Sequence, residues 1–481
     1  RPERRADRRR RPEQQRRRDQ EAERRADDID AAPHDVGGAR SPCMRSHFHL
    51  SSGSSAVVLH EPRQRGVARF VLGPRAMPPS LQRSATWAIL GKGSYAACQW
   101  AALLVLARLG GVAAVGRFSL ALAVTAPIVL LFNLSLRNIQ ATDAEGQFTH
   151  ADYVAVRAGT TALALLVIAA IAGSGAYPGE TAAVLALVGL AKAFESQGDI
   201  VQGLATVHHR LDLAAWSTLL RGLAGLLGLA LGSWLMGHLT GGVAAMTAAW
   251  AAVYLFHDIP VERRLLAAGA PPAPPGTPLA RRLRLVRLAL PMGAVALLIA
   301  FGTNVPRYFI EARLGEAELG IYAAMASFTV IGSFVINGVG QAALVDLAAH
   351  HAHGRTAAFR RILGRLAGVS LVLGLAGVAV SGFAGRELLA LAFGEVFARE
   401  DRVFLWVTVA GAIGYAATAL FYGITARRIF AGQAIVFSVV TLVHAGACAL
   451  LIGPYGLLGA AWANIAALVV QILLSMWLIR R

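Results

Sequence analysis

Charge is scarce in this chain: of 481 residues, 15% are Asp, Glu, Lys or Arg, against 56% hydrophobic. A soluble domain carries about a quarter charged residues, so this composition excludes an ordinary water-facing surface. Cysteine is scarcer still. Cys43, Cys98 and Cys448 are the three present, with no CxxC pair, which excludes a disulfide framework and a thiolate zinc site. The histidine run "HHAHG" (His350, His351, His353) has no cysteine near it and reads as a solvated loop, so no metal is expected, nor any cofactor. Catalytic signatures are also missing. There is no GxxxxGKS phosphate loop, no HExxH and no GxSxG, and the outer connectors near 307–318 and 385–402 are too short to house a catalytic domain.

What is present is hydrophobic length. A helix crossing a bilayer needs about 20 mostly apolar residues, because it must satisfy its own backbone across about 30 Å of hydrocarbon. Twelve such spans are expected, at 85–107, 113–133, 156–175, 180–204, 213–236, 240–257, 288–306, 319–341, 364–384, 403–424, 432–452 and 456–479. Arginine orients them, since positive residues accumulate in cytoplasmic loops. With both termini inside, the inner side holds seventeen arginines and the outer side seven, which are Arg108, Arg117, Arg307, Arg313, Arg386, Arg399 and Arg402.

The net charge of +18 is not a nucleic-acid footprint. Residues 1–83 carry nineteen arginines against eleven acids, interleaved as "RRRDQEAERRADDID" with no aromatic platform for bases, so no nucleic-acid partner is expected. That tail is too poor in large apolar residues to build a core and is expected to be disordered. Met77, ahead of "PPSLQRSATWAILGKG", is where the working protein is expected to begin. No apolar segment precedes about residue 85, and the first is long enough to remain as a span, so no secretory signal is visible. Membrane-embedded Cys98 and Cys448 read as small hydrophobes.

The chain repeats itself. "ARLGGVAAVGRF" at 107–118 returns as "ARLGEAELGIY" at 312–322, and Gly116, Phe118, Thr125 and Asn133 match Gly320, Tyr322, Thr329 and Asn337 at one offset of 204. Spans two and eight are therefore corresponding elements of two six-helix halves, 84–257 and 288–481. An even number of spans per half inserts both in the same sense, a transporter plan with the path between the halves. The Pro/Arg-rich stretch 258–287 reads as a cytoplasmic tether, kept extended by its prolines over 267–287. The fold class expected is all-α: a polytopic membrane protein with two pseudo-symmetric bundles around a central cavity.

Ionisable residues inside spans are costly and face an interior or a partner. The fourth span contains "GLAKAFESQGDIVQG", in which Lys192, Glu195, Asp199 and Gln202 fall on one helical face. Two readings stand: a Lys192–Glu195 pair fixing helix packing, or a coupling site at which a carboxylate gains and releases a proton or sodium ion. Lys92 in "ILGKGSY", Arg221 in the fifth span and Arg307 at the outer end of the seventh are deep cations. They suit an anionic head group, arginine through paired donors; snorkelling is the alternative. Asn133 and Asn337 either face each other between the halves or cap helix ends.

Three segments carry a family resemblance: "GRFSLALAVTAPIVLLFNLSLRNIQATD", "KAFESQGDIVQGL", and "VPRYFIEARLGEAELGIYAAMASF" followed by "GSFVINGVGQA". They resemble the bacterial polysaccharide transporters, including O-antigen-type oligosaccharide flippases, of the multidrug, oligosaccharidyl-lipid and polysaccharide exporter superfamily. The resemblance covers about residues 80–480. It implies twelve helices that move a polyisoprenyl-pyrophosphate-linked oligosaccharide to the outer leaflet of the inner membrane by ion-coupled alternating access, beside glycan-assembly enzymes. On that reading Lys92, Arg221 and Arg307 meet pyrophosphate, and Glu195 and Asp199 couple the ion. A multidrug/cation antiporter of the same superfamily and a membrane-embedded glycan polymerase or ligase are the competing functions. The antiporter would favour an acidic, aromatic cavity, and the enzyme a large outer loop with polar catalytic groups.

Overall fold

The structure, a computed structural model, describes residues 79–143, 145–267 and 274–480. The expectations for the tail and for a start at Met77 lie outside the described residues. Among these residues there are helices and no strands. They are α1 (Pro79–Asn133), α2 (Leu136–Thr142), α3 (His150–Gly173), α4 (Gly179–Val207), α5 (Leu211–Met236) and α6 (Leu239–Val253). A π-helical turn, Tyr254–Asp258, continues α6 into α7 (Ile259–Ala267). There follow α8 (Pro278–Leu314), α9 (Glu316–Ala352), α10 (Thr356–Ala392), α11 (Glu395–Ala398), α12 (Asp401–Ala426) and α13 (Phe430–Arg480).

Nine helices among the described residues are long and apolar enough to cross a membrane, so the chain is a multi-pass membrane protein. Nine differs from the expected twelve for visible reasons. Two of the nine stretches, Leu90–Thr142 and Gly432–Arg480, run 53 and 49 residues, about 80 and 74 Å at 1.5 Å per residue, far beyond one bilayer. Each is broken by a glycine in the left-handed region, Gly111 (φ 71) and Gly456 (φ 56). The fourth expected span is a helix of 29 residues, kept off the count by its polar half. Large apolar side chains point outward, among them Phe383 (92% exposed) and Leu450 (76%), as lipid-facing helices require.

The repeated joint is the same device in both copies. Gly111 (φ 71) bends α1, and Gly315 (φ 92) ends α8 and opens α9; the two lie 204 residues apart, and a side chain at such φ is strained. One turn on, the matched Gly116 and Gly320 touch. A Cβ at Gly116 would overlap the Glu316 carbonyl and crowd the Gly320 nitrogen, and one at Gly320 would overlap the Val112 carbonyl and crowd the Gly116 nitrogen. The contact is reciprocal, backbone on backbone, as small residues permit in membranes. Around it the main apolar core gathers Val115 and Phe118 of α1, Tyr322 of α9, Phe404 of α12 and Ile452 of α13. Arg117 of α1 is ion-paired with Glu316 (2.7 Å) and Glu180, and Thr181 also donates to Glu316.

At the arginine-rich end the chain is more structured than a tether. Residues 278–287 are helical, where an extended conformation was expected. Pro278 occupies the first turn, where its missing N–H costs nothing, and the Thr277 side chain caps the helix at Ala280 N. Arg281 Nε donates to Asp152 Oδ2 at 2.8 Å. Asp152 also completes a capping box with Thr149 at the start of α3. His150 Nε2 lies 2.7 Å from Glu262 Oε1 of α7. His350 and His351 sit in the last turn of α9, a helix where a loop was expected.

Candidate functional site: a charged cavity at the arginine-rich end

A cavity of about 750 Å³ opens beside α1, α2, α4 and α5. It reaches Asn138 and Ala141 of α2, Thr206 in the last turn of α4 and Leu211 at the start of α5, and so faces the arginine-rich end. Seven residues singled out in the sequence line it: Lys92, Asn133, Lys192, Glu195, Asp199, Gln202 and Arg221. The polar stripe of α4 supplies four of them, because their spacing of three and four residues stacks them on one face.

The stripe is paired along its length. Lys192 Nζ binds Glu195 Oε2 at 2.7 Å and lies 5.3 Å from the Trp250 ring centroid. Glu195 Oε1 accepts from the Tyr95 hydroxyl at 2.7 Å, and Tyr95 accepts from Gln99 at 2.8 Å. One turn further on, Asp199 lies between two arginines, Arg137 Nη1 at 3.2 Å and Arg157 Nη2 at 3.3 Å. Arg137 also donates to Gln202 Oε1 at 2.9 Å, and Arg157, whose side chain is fully buried, donates to Asn133 Oδ1.

Behind the stripe, Arg221 Nη2 meets Asp258 Oδ2 at 2.7 Å, with both side chains buried. Asp258 Oδ1 faces His257 Nδ1 at 3.0 Å. The pair crosses α4 at Gly198, where a Cβ would fall on Arg221 Nη2 and Asp258 Oδ2. Only a residue without a side chain lets these charges meet there. The π turn Tyr254–Asp258 places Asp258, in keeping with such turns at functional sites.

Summed over Lys92, Arg137, Arg157, Lys192, Arg221, Glu195, Asp199 and Asp258, the cavity and its wall hold five cations against three carboxylates. Lys92 makes no ion pair among the described residues, and the buried Nε atoms of Arg157 and Arg221 have no hydrogen-bond partner among them. The excess is positive, with donors to spare.

Two anticipated residues lie elsewhere. Arg307 Nη1 donates to Asn304 Oδ1 at 2.6 Å within α8. Asn337 is exposed on α9, donating to the Ser333 carbonyl and accepting from the Tyr422 hydroxyl. Neither lines the cavity, whose walls come entirely from residues 91–221. Asn133 and Asn337 hold different partners and do not pair. Sequence reasoning missed Arg137, Arg157 and Asp258. Arg137 and Arg157 had been counted among the inner-side arginines and Asp258 opened the expected tether; for Arg157 the available signal was an arginine two turns inside the helix "HADYVAVRAGTTALALL".

Comparison with known proteins places this site in a family context. Residues 81–345 match the family described as polysaccharide biosynthesis protein. The chain is 24% identical over 314 residues to the capsular polysaccharide biosynthesis protein CapF of Staphylococcus aureus, covering 64% of this chain and 76% of that one. Its fold is similar to that of the lipid II flippase MurJ in an inward closed conformation, with TM-score 0.65, 9% identity and coverage of 82% of this chain and 87% of that one. It is also similar to an inward-facing multidrug resistance MATE transporter of the MOP superfamily, with TM-score 0.62, 15% identity and coverage of 80% and 94%.

Proposed function

The chain belongs to the polysaccharide biosynthesis protein family, and we propose that it is a flippase for a polyisoprenyl-pyrophosphate-linked oligosaccharide, carrying it from the cytoplasmic to the outer leaflet of the bacterial inner membrane by ion-coupled alternating access. Both termini are then cytoplasmic, residues 84–257 and 288–481 act as two bundles joined at 258–287, and glycan-assembly enzymes supply and consume the cargo. The observation that carries this reading is the positive excess of the cavity. Lys92 makes no ion pair among the described residues, and Arg137 and Arg157 share the single carboxylate of Asp199.

A pyrophosphate loses its water only where fixed donors replace it. Arg137 and Lys92, both lining the cavity, offer those donors, with Arg221 buried in its wall. An arriving anion competes with Asp199 for Arg137. Asp199 freed from one arginine is then open to a proton or a sodium ion, and this exchange is the coupling step assigned to it. Glu195, paired directly with Lys192 and hydrogen-bonded by Tyr95, forms the second coupling element. Arg307 and Asn337 join the path only in another conformation, since neither reaches the cavity in this one.

The discriminating experiment is transport itself. In cells depleted of this protein and of redundant flippases, fluorescent or radiolabelled lipid-linked glycan should accumulate on the inner leaflet and reach the outer leaflet on re-expression. If labelled carrier crosses at the normal rate without the protein, the proposal fails. The competing antiporter reading expects a net-negative cavity for organic cations. Glu195 with Tyr95 and Trp250 forms an acidic, aromatic corner that favours it, and drug efflux from the same cells decides between the two.

A further inference from the structure

The last four carbonyls of a helix have no N–H partner within it. In α10 these belong to residues 389–392, at the end away from the arginine-rich side. The Leu389 carbonyl accepts from Phe393 N at 2.8 Å and from Gly394 N at 3.0 Å. The other three are met by one guanidinium from the other half of the chain. Arg108 of α1 donates through Nη2 to the Ala390 carbonyl at 3.2 Å and to that of Leu391, and through Nε to that of Ala392 at 3.4 Å. A cation suits this place twice, as a donor to orphan carbonyls and as a charge at the negative end of the helix dipole. α10 itself packs on α9, α11 and α12, all of its own half, and Arg108 ties its end to α1.

The repeat supplies an internal control. Arg108 and Arg313 are the arginines of the two "ARLG" joints. Arg313 also donates to a helix carbonyl, that of Ala449 on α13 at 2.5 Å, about two turns before the bend at Gly456. Its guanidinium lies 5.7 Å from the Phe309 ring centroid on its own helix, α8. Since α8 and α13 belong to the second half, one motif makes the same kind of bond twice: across the halves in the first copy, and inside one half in the second.

The Arg108 bonds are built to be reversible. Arg108 is exposed, and Leu391 is 79% exposed, so both sides can regain polar surroundings on parting, and the net cost of separation is small. The apolar stem has a seat of its own. It lies along a groove of about 440 Å³ between α1 and α5, lined by Leu104, Leu109, Leu231 and Trp234, which holds the stem while the charged head changes partners. Arg117 makes the parallel tie, from α1 to Glu316 of α9 at 2.7 Å.

We propose that Arg108 is a detachable latch between the halves. Bonded to the end of α10, it keeps the far side shut while the cavity faces the arginine-rich end; released, it lets the end of α10 move away from α1. Arg313, bonded within its own half, is a fixed brace. This deepens the alternating-access reading above and rests on it for its use in transport. Its test reads a helix separation without any cargo, so failure of one reading is distinguishable from failure of the other.

The experiment uses the purified full chain in nanodiscs, with Cys43, Cys98 and Cys448 replaced by alanine. Spin labels go at Leu235→Cys near the end of α5 and Val396→Cys on α11, just past α10, positions 71% and 52% exposed. Distances are measured by pulsed electron resonance. Arg108→Met keeps an apolar stem in the groove and removes every donor, and it should add a longer-distance component several-fold more populated than in the parent. Arg313→Met should leave the distribution as in the parent, and Arg108→Lys, which keeps a cation, should return most of the population to the short distance. The proposal is overturned if Arg108→Met matches the parent, if Arg313→Met lengthens the distance as much as Arg108→Met, or if Arg108→Lys is as open as Arg108→Met. Should Arg313→Met not fold, the comparison of methionine with lysine at position 108 carries the test.

Discussion

Gly198 gives a sharp test of how the cavity wall is built, because the same substitution should change sign with its surroundings. In an ordinary helix interior, Gly→Ala stabilises by about 1 kcal/mol. Here the new methyl would occupy the space of Arg221 Nη2 and Asp258 Oδ2, and the two side chains, 3% and 1% exposed, have no room to step aside together. Breaking a buried ion pair costs about 3–5 kcal/mol, so Gly198→Ala should destabilise by a net ~2–4 kcal/mol. In the Arg221→Ala/Asp258→Ala background the obstruction is gone, and the helix-propensity gain should be all that remains. The assay is equilibrium unfolding of purified protein in mixed micelles, followed by tryptophan fluorescence. Four proteins close the cycle: parent, Gly198→Ala, the pair-free variant and the pair-free variant with Gly198→Ala. Equal destabilisation by Gly198→Ala in both backgrounds would refute the reasoning, because it would show that something other than the ion pair demands glycine.

Three further outcomes follow from the same contacts. Asp199→Asn should leave the cavity folded but remove the response of transport to an imposed proton or sodium gradient, measured in proteoliposomes; a normal response to both gradients excludes Asp199 as the coupling group. Lys92→Ala and Arg137→Ala should each weaken binding of lipid-linked pyrophosphate about 10- to 100-fold, the loss of one charge-assisted hydrogen bond, read by titration of the purified protein. Weakening no greater than that from an uncharged control such as Thr218→Ala would remove them from the site. Gly320→Ala should prise α1 from α9, because its methyl overlaps the Val112 carbonyl. Ser119→Cys, at a position 4% exposed, should then react with a membrane-impermeant thiol reagent that does not reach it in the parent.

Legibility in the sequence followed the range of each interaction. Helices and their membrane character come from runs of apolar residues, which are local, and the joint at Gly111 and Gly315 was visible because the residues around it repeat. The α4 stripe was legible for the same reason: spacing along one helix decides which side chains share a face. Partners were not. Asp199 stands between Arg137 and Arg157 because α2 and α3 fold back over α4, and no spacing within α4 encodes that. Asp258 reaches Arg221 through a π turn and a glycine on a third helix. Arg307 and Asn337 were candidates by depth and by the symmetry of the repeat, with snorkelling and helix capping as the alternatives, and neither lines this cavity: depth does not say which face a side chain takes, and the match at 133 and 337 preserves residue type without preserving partners.

That last divergence has a physical basis. Positions that the two copies share at a common contact are constrained together. Gly116 and Gly320 each lie against the other's backbone, so a side chain on either separates the same two helices. Cavity walls carry no such mutual constraint, and the copies differ there. In the first, polar side chains pair with one another: Lys192 with Glu195, Asp199 with two arginines, Arg221 with Asp258. In the second, they answer backbone carbonyls: Tyr415 that of Thr329 and Tyr422 that of Asn337. Charges paired across a cavity can exchange partners when an anion arrives, whereas side chains bonded to backbone hold helix bends. The paired charges thus lie in the first copy and these side-chain-to-backbone bonds in the second, with the Tyr308 bond to Ala123, the Arg117–Glu316 pair and the Gly116–Gly320 contact among the links between them.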